Sequence, residues 1–335
     1  MEQAVDARGL KKVFRTIKGS RYGFIGMVTQ LFRRDYSSVV AVDGIDLSIP
    51  YGEIRGLIGP NGAGKSTTIK MLSGVLHPTD GSVKCLGVTP WEDRTSFVRR
   101  IAAVFGQKTQ LMWDLPPSDT FALNQRLYRI PKSEYDRNVE YFADSFGLGE
   151  VLGTPVRNLS LGERMKCELT AAMLHNPELV FLDEPTIGLD LIAKDTVRSF
   201  VKRVNRDRKV TFLLTTHDLD DVEDLCQRVT IINHGHIVHD SSMKDLKSSY
   251  ATRKVAEVRL AQPVAAESLA DWEVLEHTDQ LCRVVIDSAR SDPGSGTASA
   301  IAKLLTTLPA KDLEVTNPPI EAVIRRIYGG EGTDR

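Results

Sequence analysis

The stretch Glu53-Ile54-Arg55-Gly56-Leu57-Ile58-Gly59-Pro60-Asn61-Gly62-Ala63-Gly64-Lys65-Ser66-Thr67 decides how the chain reads. Its first half has the length and apolar character of a buried strand, and its second half is a glycine-rich turn. Residues from about Ser66 to Ser73 then have the spacing of a helix, which Gly74 ends. Glycines let the backbone curl until its N–H groups converge on one anion, and the start of the next helix adds its positive end. Gly59, Pro60, Asn61, Gly62, Ala63, Gly64, Lys65, Ser66 and Thr67 are therefore read as a loop that holds a nucleoside triphosphate. Lys65 is expected to reach the β- and γ-phosphates, and the Ser66 hydroxyl to ligate Mg²⁺.

Working outward, SVVAVDGIDLSI precedes this strand across a turn at Pro50–Gly52, and residues 1–14 hold a further short strand ending at Val13 and Phe14. The apolar strand Leu179-Val180-Phe181-Leu182 ends in Asp183-Glu184, and Val210–Thr216 is read as the last strand of this domain. Unbroken apolar strands alternating with helices predict an α/β fold with a largely parallel sheet covered on both faces. Carboxylates at the carboxyl end of such a strand lie in the ligand crevice. Asp183 is thus expected to hold Mg²⁺, and Glu184 to polarise the water that attacks the γ-phosphate as general base.

Between these two motifs stands Leu159-Ser160-Leu161-Gly162-Glu163, opening a helix. With this third string in order, residues 1–240 resemble the ATP-binding cassette (ABC) family, specifically the nucleotide-binding subunit of an ABC transporter. The resemblance implies a P-loop NTPase with a mixed sheet core, a helical subdomain over about 110–175, and ATP and Mg²⁺ as cofactors. It implies that Gln107 touches Mg²⁺ and senses a membrane partner, that Asp190 lies in a loop crossing a dimer interface, and that His217 contacts the γ-phosphate. Tyr36 is similar in placement to the family's aromatic that stacks on adenine. Ser160 and Gly162 match the positions expected to matter most in the signature string, whereas Leu161 stands for the usual glycine and Glu163 for the usual glutamine. In the family the phosphate loop of one cassette and the signature of another enclose one ATP. One loop and one signature per chain therefore imply a homodimer or a pairing with a second cassette subunit.

Residues 7–34 carry eight basic and no acidic residues, with Phe24, Val28, Leu31 and Phe32 at helical spacing. An insertion over about 15–35 is read as a basic amphipathic helix that meets an anionic membrane, meets the permease, or packs against its own sheet. Trp113, just beyond Gln107, is read either as core or as a permease contact. Asn233-His234-Gly235 reads as a hairpin turn. Beyond Ser241–Ser249 the pattern changes, and residues 245–335 are read as a small α+β domain with strands at Val255 and Cys282. A final helix follows in which Ile320, Val323, Ile324 and Ile327 share a face.

Of the 335 residues, 41% are hydrophobic and 26% charged, which excludes a disordered or collagen-like chain. The net charge of −1 gives no general attraction to nucleic acid, and none is expected as a partner. No run is long and apolar enough to span a bilayer, so the chain is not expected to cross a membrane by itself. The resemblance implies a place on the cytoplasmic face of the membrane. The four cysteines are too scattered for a zinc or disulfide framework. The wording of the motifs is similar to drug- or viologen-exporter cassettes, with the transported small molecule met only through a separate integral-membrane permease. An importer cassette, or an ABC ATPase outside transport, is the alternative.

Overall fold

The computed structural model describes residues 2–17, 36–106, 108–249, 253–287 and 296–316, together with Val323, Ile324 and Ile327. They form two compact units, Met1–Asp240 and Ser241–Arg335.

The first unit opens with a long hairpin. β1 (Gln3–Ile17) pairs antiparallel with β2 (Tyr36–Pro50), out to Ile17 opposite Tyr36, and with β4 (Asp80–Cys85) on its other edge. The strand expected to end at Phe14 therefore runs on, and Arg15, Thr16 and Ile17 belong to it rather than to an insertion. Part of the basic charge is already engaged. Lys11 pairs with Asp43 at 2.7 Å, Arg8 with Asp6 at 3.0 Å, and Lys12 donates to the His77 carbonyl at 2.6 Å. The remainder of the amphipathic stretch, residues 18–35, lies outside the described residues.

The central sheet has the order β5-β6-β7-β3-β8-β9. β3 (Ile54–Ile58), β5 (Ile101–Phe105), β6 (Leu179–Asp183), β7 (Thr211–Thr215) and β8 (Arg228–Asn233) run parallel, and each is closely buried along its length. This is the burial that near-continuous apolar strands anticipate. β9 (His236–Ser242) follows β8 through a turn in which His234 (φ 47°) and Gly235 (φ 82°) are left-handed, the geometry of a tight hairpin. Register aligns Phe105 with Asp183 and Asp183 with Thr215, so three strand ends meet at one edge.

Helix α1 (Lys65–Leu72) leaves the glycine-rich turn, and the short α2 (Arg94–Val98) precedes β5. A helical lobe then interrupts the sheet: α3 (Pro117–Tyr128), α4 (Lys132–Phe146) and α5 (Leu161–Met173). Pro117 begins α3 where a missing N–H costs nothing. The lobe is fastened to α6 (Leu191–Arg208) by aromatic contacts, Phe142 edge-on to Phe200 at 5.7 Å and Phe146 stacked on it at 4.2 Å. α7 (Leu219–Leu225) connects β7 to β8.

The second unit begins at Ser241, in the last two residues of β9 and four residues before the expected boundary, and its first helix is α8 (Met243–Ser249). Its antiparallel sheet has the order β11-β12-β10-β13, from β10 (Arg253–Leu260), β11 (Glu273–His277), β12 (Leu281–Asp287) and β13 (Ala310–Thr316). Helix α9 (Gly296–Thr307) covers it, burying Leu304 against Ala256, Val258, Val284 and Ile286. Val323, Ile324 and Ile327 are helical and buried, whereas Ile320 lies outside the described residues. Cys85, Cys167, Cys226 and Cys282 are free and buried. No helix among the described residues is long and apolar enough to cross a membrane.

Candidate functional site

The turn after β3 closes because Gly64 can adopt φ 109°. A side chain there would also stand 2.5 Å from the Ala41 carbonyl oxygen, so the position admits only glycine. The hairpin turn at Gly235 braces the loop, its N–H donating to the Ala63 carbonyl at 3.0 Å. Lys65 curls back into the loop, donating to the Gly59 carbonyl at 2.7 Å and the Pro60 carbonyl at 3.2 Å. Burial pushes its pKa down, against the pull of Glu184 and Asp183. Thr67 follows, half-buried, in the first turn of α1.

Across the cleft, Asp183 Oδ1 accepts from the Ser66 hydroxyl at 3.0 Å and from the Thr215 hydroxyl at 2.5 Å. The next residue, Glu184, is held left-handed at φ 55°, a conformation that costs a non-glycine residue about 1 kcal/mol or more. Two bonds from its N–H offset this, one to the Thr215 carbonyl at 3.0 Å and one to the Thr215 hydroxyl at 3.2 Å. The Glu184 carboxylate then stands 3.5 Å from His217 Nδ1. Ser66, Asp183, Glu184 and His217 border a cleft of about 860 Å³ that also touches Gly59, Pro60, Asn61, Lys70, Phe105, Gly106 and Lys108.

Loop, lysine, hydroxyl and paired carboxylates thus converge at the carboxyl edge of a parallel sheet. A model of the ABC transporter family matches residues 42–187. The daunorubicin/doxorubicin resistance ATP-binding protein of Streptomyces peucetius is 34% identical over 308 residues, 90% of this chain and 91% of its own length. This chain belongs to the ABC transporter family. It is an ATP-binding cassette and an ATPase. Importers share the resemblance: a methionine import ATP-binding protein of Salmonella typhimurium is 30% identical over 224 residues, 66% of this chain and 65% of its own. A solved dimeric cassette in a post-hydrolysis state with ADP and Pi aligns with TM-score 0.59 at 20% identity. The alignment covers 71% of this chain and 98% of that one, and shows the same fold.

Within the cassette, the residues expected at the site fall into two groups. Gly59, Pro60, Asn61, Ser66, Asp183, Glu184 and His217 border the cleft, and Lys65 reaches the Gly59 and Pro60 carbonyls beside it. Gly62, Ala63, Gly64 and Thr67 complete the turn and first helical residues without bordering the cleft. Ser160, Gly162 and Asp190 do not border it. They gather around the start of α5 and α6, where Gly162 lies against Ala193 and Leu161 against Gly188. Asp190 caps α6, accepting from the Ala193 N–H at 2.8 Å. Ser160 caps α5 in a reciprocal box with Glu163, whose carboxylate accepts the Ser160 hydroxyl at 2.8 Å and the Ser160 N–H at 2.9 Å. Ser160 holds the Glu163 pKa below the ordinary carboxylate range. The Ser160 hydroxyl is therefore donating to Glu163 of its own helix. Gln107 and the Tyr36 side chain lie outside the described residues; the Tyr36 backbone is the first residue of β2. Trp113 is 50% exposed, with the Arg164 guanidinium 5.9 Å from its ring centre.

Thr215 was not anticipated. It joins Asp183 and Glu184 through one hydroxyl, and the signal for it was its place at the end of an apolar strand, beside the strand that ends in Asp183. Gly106 was missed too. Its N–H donates to the Asp183 carbonyl at 2.8 Å, and a Cβ there would sit 2.2 Å from the Glu184 carbonyl oxygen.

Proposed function

We propose that this cassette is the ATP-hydrolysing subunit of an exporter, working on the cytoplasmic face of a membrane beneath a separate permease, with two copies closing over two ATP molecules. The observation that carries the chemistry is the convergence of Lys65, Ser66, Asp183, Glu184 and His217 at one strand edge. Export is favoured over import because the likeness to the resistance protein spans 90% of this chain and the likeness to the importer 66%.

On entry of ATP, Lys65 exchanges the Gly59 and Pro60 carbonyls for phosphate oxygens, gaining charge-assisted bonds. Ser66 and Asp183 present a hydroxyl and a carboxylate 3.0 Å apart, an oxygen donor set suited to a hard cation. Mg²⁺ held there supplies neutralisation of phosphate charge. Glu184 accepts a proton from the attacking water while His217, 3.5 Å away, orients the carboxylate and faces the γ-phosphate. Ser160 and Gly162, being away from the cleft of their own copy, complete the site of the other. Ser160 must release Glu163 to do so. Loss of the γ-phosphate then removes the bonds that join the copies.

Glu184→Gln keeps size and polarity but not basicity. With Mg-ATP it is expected to accumulate as a dimer by light scattering while phosphate release falls about 10²–10⁴-fold. Turnover at the parent rate would remove Glu184 from the role of base.

A further inference from the structure

Away from the cleft, one buried acid joins two parts of the first unit. Glu168 lies in the middle of α5, the helix capped by Ser160, and is 3% exposed. Its carboxylate accepts from the chain that leaves β5. The Thr109 hydroxyl donates to Oε1, and the Gln110 N–H is shared between Oε1 at 3.1 Å and Oε2 at 3.3 Å. The Gln110 side-chain amide donates to the Glu168 backbone carbonyl at 3.3 Å, and the Leu111 N–H donates to the Thr109 hydroxyl at 3.1 Å. Burial raises the Glu168 pKa in spite of these donors. Desolvation offsets much of what such bonds contribute to stability, so their larger effect is on geometry.

The attachment continues along the chain. The Trp113 carbonyl accepts from the Arg157 N–H at 3.0 Å, the Leu115 carbonyl accepts from the Val156 N–H at 3.1 Å, and Arg157 pairs with Asp114 at 2.6 Å. Residues 109–115 are thus fastened along their length to residues 156–168. Gly106, at the cleft, is fastened instead to Asp183. Between these two anchorages run only a few residues of chain, and Lys108 among them borders the ATP cleft.

We propose that Glu168 is a positioning residue. By fixing Thr109–Leu111 to α5, it makes a change in the filled cleft move the helix that carries Ser160 and Gly162. This rests on the reading in which those two residues complete the ATP site of a second copy. Without the carboxylate, the passage beyond Gly106 answers to nucleotide alone and the lobe does not follow.

The test uses the full chain with Trp91→Phe and Trp272→Phe, leaving Trp113 as the sole tryptophan, and with Glu184→Gln to block turnover. Trp113 emission is followed during titration with Mg-ATP, beside fluorescent-nucleotide affinity, melting temperature and the dimer dissociation constant. The parent is expected to show an ATP-dependent change in Trp113 emission that Glu168→Ala loses, with nucleotide affinity held within about twofold and dimerisation weakened about tenfold, or ~1.4 kcal/mol. Glu168→Gln, whose amide oxygen still accepts the Gln110 N–H, should restore most of the response. Thr109→Ala removes one exposed donor without emptying a buried site, and should lose about half of it, which keeps the test decisive if Glu168→Ala does not fold. An undiminished Trp113 response in Glu168→Ala or Thr109→Ala, or losses that track melting temperature alone, would overturn the proposal. A parent that never dimerises yet shows a Glu168-dependent response supports the link and sinks the two-copy site instead.

Discussion

Adding one methyl group at Gly106 tests how closely the catalytic carboxylate is positioned by its surroundings. The Gly106 N–H holds the Asp183 carbonyl at 2.8 Å, and an added Cβ would lie 2.2 Å from the Glu184 carbonyl oxygen and 3.1 Å from its carbon. Unstrained contacts between such atoms need about 3.5 Å, so the Glu184 peptide has to retreat by roughly 1 Å. It cannot retreat freely, because the Glu184 N–H is bonded on its other side to the Thr215 carbonyl and hydroxyl at 3.0 and 3.2 Å. A misplacement of about 1 Å at a reacting group costs about 10²-fold in rate, or ~2.7 kcal/mol. Overpacking adds a stability loss of about 1–3 kcal/mol. Gly106→Ala is therefore expected to lower kcat for phosphate release about 10²-fold. The loop, Lys65 and Ser66 are untouched, so nucleotide affinity should stay within about threefold. A folded Gly106→Ala protein hydrolysing ATP at the parent rate would show that the Asp183–Glu184 peptide tolerates displacement, and the positional argument would fail.

Other perturbations separate binding from chemistry. Lys65→Ala should weaken ATP binding itself by about 10- to 100-fold, since each charge-assisted bond contributes about 1.5–3 kcal/mol; unchanged affinity by nucleotide titration would contradict the assignment. Thr215→Val keeps shape but removes the hydroxyl shared by Asp183 and the Glu184 N–H, and is expected to cost about tenfold in kcat with little change in KM. His175 provides a pH test. It stacks on Tyr128 at 4.0 Å, its Nε2 lies 2.8 Å from the Ile101 carbonyl, and burial depresses its pKa. Below the unfolded value near 6.5 the unfolded chain takes up the proton first, so this stability is present above about pH 6.5 and is lost as pH falls towards the folded value. The melting temperature should drop between pH 7.5 and 5.5 by more in the parent than in His175→Gln, and equal drops would remove His175 as the cause.

What could be read in the sequence was set by neighbours along the chain. The loop from Gly59 to Ser66 and the pair Asp183-Glu184 announce themselves because their chemistry depends on fixed offsets and on the strand or helix each adjoins. β3, β6 and β7 were legible because both of their faces are buried. β5 and β8 were not read, and Val210–Thr216, expected to be the last strand of the cassette, is followed by β8 and β9. Thr215 and Gly106 act across the sheet edge, where register and not sequence spacing brings them to Asp183 and Glu184. Glu168 reads as one more polar residue on a helix until the fold wraps residues 109–111 around it. In the second unit β11 was missed because all five of its residues are exposed, and β13 because only Ala310, Leu313 and Val315 mark its inward face and all three are only partly buried. The extension of β1 was hidden by basic residues that suit a surface strand as well as a helix.

Light scattering of the Glu184→Gln chain before and after addition of Mg-ATP bears most directly on the account. A molar mass that doubles with ATP and returns to that of one chain with ADP is the predicted result. A mass that stays that of one chain at saturating ATP, with the nucleotide demonstrably bound, would contradict it.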